Sequence, residues 1–195
     1  MTEKVDVKKT LDGYRARHGD FRFLDVPEAR YLMTDGHGDP NSWVFGEAIE
    51  ALYPVAYRLK FASRSRLGRD YVVPPLEGLW WAEDMTAFTT ARDKAQWRWT
   101  LLILVPEWVD DALFGAVEAP ERVRLEALAE GRCVQTLHVG SFDDEAPVLA
   151  RMHDEVIPGA GLVPTGRHHE IYLSDFRRVP PERRRTILRQ PVAPA

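Results

Sequence analysis

Two short segments of the sequence combine a carboxylate with aromatic rings in a pattern that suits ligand binding. Residues 74–81 read PPLEGLWW and residues 168–175 read HHEIYLSD. Because alternate residues of a strand share a face, Glu170 and Tyr172 point to the same side. Rings beside a carboxylate favour flat, apolar, often cationic molecules, since stacking supplies contact area and cation–π attraction adds about 0.5–2 kcal/mol. This pattern therefore favours a ligand groove lined by aromatic rings and containing an isolated carboxylate.

Tryptophan is concentrated in one part of the chain. All six tryptophans lie between Trp43 and Trp108. Such rings are costly to leave in water, so they belong to a core, an interface or a ligand pocket. Trp80 and Trp81 are neighbours and must point to opposite faces of a strand, so one faces inward and the other faces a cleft or a partner. Two interpretations stay open, a tryptophan-rich core with a solvated glutamate or an aromatic pocket, and the number of rings favours the pocket.

Other common kinds of chemical site are not indicated by the sequence. The single cysteine, Cys133, excludes an internal disulfide and a multi-cysteine zinc or iron–sulfur site. His168 and His169 are adjacent, so on a strand they do not share a metal ion. The sequence lacks a Walker A loop, a dinucleotide-binding glycine fingerprint and a G-x-S-x-G elbow. We expect no metal and no cofactor.

The composition narrows the function classes further. The chain has 195 residues, of which 45% are hydrophobic and 29% charged, as in an ordinary globular protein. Its net charge of −4 disfavours general nucleic-acid binding. No apolar run approaches the roughly 20 residues needed to cross a bilayer, and the polar start is unlike a signal peptide. We expect a cytoplasmic protein without nucleic-acid or membrane partners, and the oligomeric state stays open.

Hydrophobic periodicity predicts the elements that position these residues. In the first half it predicts a strand over 29–39, a helix from about 44 to 61 that Pro54 kinks or breaks, and strands within 70–84 and 96–109. In the second half it predicts a short helix over 120–131, a strand over 132–142, a helix over 143–157 and a last strand over 168–176. The arginine-rich segment 177–189 is interpreted as a solvated helix face in preference to a site for an anionic partner.

The two halves look like copies of one unit. Gly36-His37-Gly38-Asp39 and Gly140-Ser141-Phe142-Asp143 share the pattern G-x-x-D between a strand and a helix, at an offset of 104 residues. We therefore predict an α+β fold, a tandem strand–helix–strand–strand repeat whose antiparallel sheet carries two long helices on one face. If Ile171 and Leu173 face the helices, Glu170 and Tyr172 face the open side of the sheet.

The expected organisation has two main parts. They are a charged, loosely attached leader over 1–20, and one domain over 21–192 with a first repeat at about 21–109, a second at about 131–176 and the arginine-rich segment 177–192.

Longer motifs resemble a known family. The segments YLMTDGHGDPNS, EAIEALYPVAYRLK, VPPLEGLWW, WRWTLLILVPEWV, EGRCVQTLHVGSFDDE and HHEIYLSDFRRVPPERRRTILRQPV are similar to those of the stand-alone branch of the GyrI-like small-molecule-binding proteins. The resemblance covers about residues 21–192. It implies the fold of the effector-binding domains of multidrug-sensing activators, with a ligand groove between the two repeats.

The resemblance also implies roles for particular residues. A carboxylate on a late strand is a recurrent anchor in the family, and Glu170 is the matching position. Some stand-alone members hydrolyse the cyclopropane of DNA-alkylating natural products inside an aromatic cage, which implies Trp80, Trp81 and Tyr172 as cage residues and Glu170 and Tyr172 as catalytic residues. The remaining expected ligand-binding residues are Met33, His37, Tyr57 and Trp99.

Three functions fit these observations. The first is a binding protein that senses or sequesters planar xenobiotics. The second is a hydrolase that adds water to an activated cyclopropane, which needs little more than positioning, a hydrogen-bond donor and a carboxylate that orients water. The third, implied by the family name, is an interaction partner of DNA gyrase. Nothing in the sequence separates binding from turnover.

Overall fold

The computed structural model describes residues 4–84 and 93–195. They divide into two compact units, each built from segments that are distant in the chain. The first unit contains Met1–Asp12, Ala29–Pro74 and Ala82–Leu128, and the second contains Gly13–Glu28, Pro75–Trp81 and Ala129–Ala195. Both combine helices with antiparallel strands, which confirms the predicted α+β class. Within the described residues, no helix is long and apolar enough to cross a membrane.

Residues 4–84 and 93–195 form eleven strands and five α-helices. The strands are β1 (Lys4–Val5), β2 (Arg22–Val26), β3 (Ala29–His37), β4 (Asp70–Tyr71), β5 (Leu76–Trp81), β6 (Arg98–Val105), β7 (Arg124–Leu128), β8 (Gly131–Val139), β9 (Leu162–Pro164), β10 (His168–Tyr172) and β11 (Arg185–Pro194). The helices are α1 (Val7–Thr10), α2 (Trp43–Leu67), α3 (Asp111–Gly115), α4 (Ala146–Arg151) and α5 (Ile157–Gly159). A 3₁₀ turn, Phe142–Glu145, precedes α4 and a π turn, Met152–Val156, joins α4 to α5, so residues 142–159 form one continuous helical segment, called the 142–159 helix below.

The first unit is a small antiparallel sheet with one long helix. Strand β3 lies between β6 and β7 and pairs with both, while β1 and β4 form a separate parallel pair. The buried face of α2 repeats apolar residues at three- and four-residue steps from Phe45 to Leu59, as expected for an amphipathic helix. The helix ends at Gly68, whose φ of 66° is a left-handed conformation that glycine adopts without strain.

Helix α2 continues beyond its predicted end without a break at Pro54. It reaches Leu67 and not residue 61. Pro54 and Glu50 both lie on the exposed face of the helix. The carbonyl of Glu50, which loses its partner N–H to the proline, can therefore be hydrated, and this removes much of the penalty that predicted a break.

The second unit is a five-stranded antiparallel sheet in the order β2-β8-β11-β10-β5, with β9 paired to the end of β11. Strands β2 and β5, which belong to the predicted first repeat, pair here with β8 and β10. The 142–159 helix covers one face of this sheet and buries Met152 and Ile157 against Val134 and Leu188. The structure therefore fixes β10 between β5 and β11, in the interior of its sheet.

Two predicted helices are strands. Residues 124–128 form β7, which pairs with β3, and not a helix over 120–131. The arginine-rich segment leads into β11, which starts at Arg185, is central in its sheet and buries Arg189, and it is not a solvated helix face. In both segments, pairing with strands from distant parts of the chain outweighs the local helical tendency.

The start of the chain packs closely onto the rest, contrary to the expected loose attachment. Val7 is buried in the first unit and Tyr14 is buried in the second. The Tyr14 hydroxyl donates a hydrogen bond to Glu77, and His18 Nδ1 lies 3.2 Å from the carbonyl oxygen of Leu137. Residues 13–18 thus cover one face of the second sheet.

Candidate functional site

Glu170 and Tyr172 lie on the face of β10 that the 142–159 helix covers. The register places Glu170 opposite Gly78 of β5 and His168 opposite Trp80, so these four residues share that face. The prediction that Glu170 and Tyr172 face the open side is therefore wrong within this unit. Ile171 faces the other side, so the condition on which that prediction rested is not met.

A chain of hydrogen bonds fixes the carboxylate of Glu170. The indole N–H of Trp80 donates to the hydroxyl oxygen of Tyr172 at 3.0 Å, and that hydroxyl donates to Glu170 Oε2 at 2.8 Å. Trp80 and Tyr172 are each only 6% exposed. Burial, and next the charge of Glu170, raise the pKa of Tyr172 well above its usual value. Tyr172 therefore keeps its proton at neutral pH and orients Glu170 as a hydrogen-bond donor.

A second carboxyl group, Glu145, lies beside Glu170 at the start of the 142–159 helix. Its side chain hydrogen-bonds Glu170, and burial, followed by the charge of Glu170, raises the pKa of Glu145 to about 10. Glu145 is therefore a neutral acid at pH 7 that donates its proton to Glu170. Its other oxygen, Oε1, is buried without a hydrogen-bond partner in the part of the chain that the structure describes.

Glu145 is not among the residues predicted for the site, because Asp143-Asp144-Glu145 has the composition of an ordinary helix start. Asp143 and Asp144 are indeed exposed. The available signal was the helical period, since Phe142, Glu145, Leu149 and Met152 recur at three- and four-residue steps and place Glu145 on the apolar stripe. An acidic residue on a buried stripe indicates a specific role.

Three aromatic rings form a wall next to the two carboxyl groups. Phe142, Tyr172 and Phe176 contact one another edge to face, with ring centroids 5.5–5.8 Å apart. Phe142 is 37% exposed, so this wall reaches the surface. Together with Trp80, Glu145 and Glu170, these rings are called the Glu170 cluster below.

Two histidines border the Glu170 cluster. His168 Nε2 lies 3.4 Å from Glu170 Oε1, outside good hydrogen-bond geometry, and neither ring nitrogen has a hydrogen-bond partner among the described residues. Burial and nearby His168 lower the pKa of His153, which lies on the π turn. His168 thus places a buried ring nitrogen without a hydrogen-bond partner among the described residues beside the carboxylate.

Gly78 provides the space that the Glu170 cluster needs on β5. A Cβ at this position would lie 2.8 Å from Trp80 Nε1 and 2.9 Å from the Tyr172 hydroxyl, closer than real Cβ atoms approach other atoms. Glycine is therefore required for the hydrogen bond between these two side chains.

We expect Gly78→Ala to destabilise the protein by about 1–3 kcal/mol, as overpacking typically does, and to weaken ligand binding because the support of Glu170 moves. Urea unfolding and dye titration measure both effects. Gly46→Ala is the matched control, because a Cβ at Gly46 meets nothing within 4 Å and alanine favours the helix. An unchanged stability and affinity in Gly78→Ala would contradict the role given to this glycine.

Trp81 does not join the Glu170 cluster. It follows Trp80 on β5 and points to the other face, where the Arg167 guanidinium stacks on its ring at 3.6 Å from the centroid. Of the predicted cage residues, the structure thus brings Trp80 and Tyr172 together with Glu170 and places Trp81 on the opposite side of the sheet.

The remaining predicted ligand-binding residues belong to the first unit, and their environments differ. Trp99 is fully buried, with its ring against Gly36 and 5.0 Å from that of Phe45, so it is a core residue. Met33 is also buried, whereas His37 and Tyr57 are exposed. The six tryptophans therefore do not form one cage.

A shallow cavity of about 320 Å³ lies at His37. It is lined by His37, Glu83, Ala95, Gln96 and Arg98. This polar lining differs from the aromatic groove that the sequence predicted.

A buried ionic network lies on the other face of the second sheet. His169 is fully buried between Glu77 and Glu130, with 2.8 Å from Nε2 to Glu77 Oε2 and from Nδ1 to Glu130 Oε1. Arg189 Nη1 donates to Glu130 at 2.7 Å, and Nη2 donates to the carbonyl oxygen of Gly13 at 2.7 Å. With Tyr14 on Glu77, these residues form what is called the His169 network below.

The charges of the His169 network stabilise one another. Burial alone would raise the pKa of Glu130, but His169 and Arg189 outweigh it and lower that pKa to about 2. Burial alone would lower the pKa of His169, but Glu130 and Glu77 raise it to about 9. Both ring nitrogens of His169 are engaged, so its side chain offers no free group to a ligand. Arg189 and Glu77 bind Gly13 and Tyr14, so the network holds residues 13–18 on the sheet.

No arrangement of three or more His, Cys, Asp or Glu side chains suited to a metal ion occurs in residues 4–84 and 93–195. Cys133 is buried, and burial, with a smaller effect of Glu130, raises the pKa of its thiol to about 12. Such a thiol is a poor nucleophile at neutral pH. Among the side chains described in the second unit, the Glu170 cluster combines aromatic contact, a fixed carboxylate and an adjacent carboxylic acid.

Comparison with known proteins identifies the family. The model of the GyrI-like small molecule binding domain matches residues 19–193. The chain therefore belongs to the GyrI-like family of small-molecule-binding domains, and the resemblance noted in the sequence is confirmed. No curated protein sequence matches the chain.

Solved structures support the same assignment. The chain is 37% identical to an uncharacterized conserved protein from Listeria innocua, with 97% of this chain and 100% of that chain covered and a TM-score of 0.87. It is 35% identical to a hydrolase encoded by lin2189 from Listeria innocua, with 98% and 100% covered and a TM-score of 0.84. The C-terminal domain of EcmrR shares the fold at 11% identity, with 90% and 98% covered and a TM-score of 0.59.

Proposed function

We propose that this small-molecule-binding domain takes up flat, hydrophobic, often cationic molecules at the Glu170 cluster. The observation that carries the proposal is the carboxylate of Glu170, held by the Tyr172 hydroxyl among aromatic rings with only 13% of its side chain exposed. A carboxylate in such surroundings gains strongly from an organic cation, because attraction between charges increases where water is excluded. The rings of Trp80, Phe142 and Phe176 supply apolar contact to the same ligand.

The biological role that fits this binding is protection from xenobiotics. A protein that sequesters planar toxic cations lowers their free concentration in the cytoplasm, which is where the sequence predicts this protein to act. A sensor role would use the same site. A gyrase-binding role would need a protein-binding surface, and no feature of the Glu170 cluster favours it.

Dye titration tests the binding proposal. A rhodamine-type cation should quench tryptophan fluorescence saturably at micromolar concentration, and Glu170→Gln should weaken this binding about tenfold or more, since a charge-assisted contact is lost. Glu155→Gln removes an exposed acid from the same helical segment and should leave the affinity unchanged. Absence of saturable quenching in the wild-type protein would refute the proposal. Equal affinity in Glu170→Gln would show that the charge of Glu170 does not contribute to binding.

A second candidate function is hydrolysis of a strained, conjugated cyclopropane. It is favoured by the 35% identity to a Listeria protein described as a hydrolase, together with the pair of carboxyl groups in different protonation states. Water attacks the ring carbon, the strained C–C bond breaks, and the electron pair passes to the conjugated carbonyl oxygen. Glu170 accepts a proton from the attacking water, and Glu145 donates its own proton to the carbonyl oxygen. The proton on Glu170 then passes to Glu145, so one water is consumed and both carboxyl groups return to their starting states.

Product analysis separates turnover from binding. A duocarmycin-type cyclopropane in large molar excess over the protein should gain the mass of one water many times per protein molecule. A protein that only slows the spontaneous decay of the compound is a sequestering binder, and that result would refute the hydrolytic function while leaving the binding function in place.

A further inference from the structure

Binding of a cation by Glu170 does not by itself require a second carboxyl group that carries a proton, yet Glu145 lies beside Glu170. Glu145 is 5% exposed, hydrogen-bonds Glu170, and keeps Oε1 buried without a partner among the described residues. A buried polar atom without a partner costs free energy, so it is a site where a ligand group can bind. The pair therefore offers one negative charge while the proton is present and two when the proton has left.

We propose that the Glu145–Glu170 pair matches its charge to that of the ligand, accepting a monocation with the shared proton retained and a planar dication with that proton released. This inference rests on the proposed binding function and specifies its ligand class as aromatic cations of either charge. In each complex the charges of the pair and the ligand sum to zero, which a buried site of low dielectric favours. A single glutamate could neutralise only the monocation.

The surroundings of Glu145 make it the proton donor in this exchange. Burial and the charge of Glu170 disfavour its ionised form, and a second cationic group placed against Oε1 reverses this balance. Tyr172 keeps its proton because its pKa is raised further from neutrality. Of the other titratable or charged groups, Asp143 acts on Glu145 and His168 lies beside Glu170. Farther out, His153 lies near His168, Arg184 lies over the Phe142 ring and His138 contacts the carbonyl oxygen of Ser141.

Ethidium and propidium are suitable probes because they share one phenanthridinium ring and carry one and two positive charges. Calorimetric titration at pH 7.5 in phosphate and in Tris counts the protons released, since the two buffers differ in ionisation enthalpy. We expect about one proton released per propidium and none per ethidium. Between pH 7.0 and 8.5, above the ordinary histidine range, propidium affinity should rise towards tenfold per pH unit while ethidium affinity stays level.

Variants identify the source of the proton. In Glu145→Gln the amide N–H replaces the acid proton in the bond to Glu170, so propidium should bind without proton release and lose its pH dependence. Glu155→Gln, the exposed acid on the same helical segment, should release the proton as the wild-type protein does.

Two results would overturn the inference, and a third would overturn the proposed function as well. Binding of both dyes without proton release overturns the inference and leaves the proposed function standing, and so does proton release that persists in Glu145→Gln. If neither dye binds the wild-type protein, the proposed function itself fails and the inference fails with it.

Discussion

Glu130→Ala is expected to destabilise the protein by about 3–5 kcal/mol, because it leaves a buried cation without its partner. Glu130 bonds both His169 and Arg189, and all three side chains are at most 3% exposed. The loss of one carboxylate also frees the arginine that holds the carbonyl oxygen of Gly13. Urea unfolding followed by fluorescence measures the change.

The control for this prediction is Glu118→Ala. Its side chain is 89% exposed and its ion pair with Arg58 spans 4.0 Å, so little stability should be lost. If Glu130→Ala and Glu118→Ala have similar unfolding midpoints, the His169 network does not stabilise the fold as inferred.

The same network sets the pH dependence of stability. The pKa of Glu130 is lowered to about 2, so its contribution is present above the ordinary value near 4.5 and is lost as the pH falls towards 2. The pKa of His169 is raised to about 9, so its contribution is complete below about 6.5 and is lost as the pH rises through 9. The contribution of the His169 network should therefore be greatest between about pH 4.5 and 6.5, and the loss of stability below pH 4.5 should be smaller in Glu130→Gln.

The fold class and the shared face of Glu170 and Tyr172 were predictable from the sequence because each depends on a local pattern. Period-two alternation places Glu170 and Tyr172 on one face of β10 wherever that strand lies. Helical periodicity predicts α2 but ends it near residue 61, whereas the helix reaches Leu67. The kink or break predicted at Pro54 is wrong because the exposure of the preceding turn is not visible in the sequence.

The features that escaped prediction depend on contacts between distant segments. Strand β11 looks like a solvated basic helix until its pairing with β8 and β10 is known, because Arg189 is compensated by Glu130, which lies 59 positions away. Glu145 looks like one of three helix-start acids until β10 is placed beside it. In both cases a charged residue is buried because its partner comes from elsewhere in the chain, and no spacing rule reveals such a partner.

The largest functional effect is expected from Glu170→Gln acting on a neutral cyclopropane. In the proposed hydrolysis, loss of Glu170 as the general base should lower the turnover rate by about 10²–10⁴-fold, whereas the neutral substrate should still bind because the aromatic wall is retained. Trp80→Phe should instead impair binding and turnover together, since it removes the N–H that supports Tyr172 and alters the packing of the site. Initial rates of water addition and separate binding titrations give the two quantities.

Glu155→Gln is the control for loss of an acid on the same unit and should turn over at the wild-type rate. Turnover that survives in Glu170→Gln would assign catalysis to positioning by the aromatic rings, and would remove Glu170 as the base. A rate that falls in Glu170→Gln and Glu145→Gln alike, with substrate binding retained in both, is the result expected if the two carboxyl groups exchange one proton during the reaction.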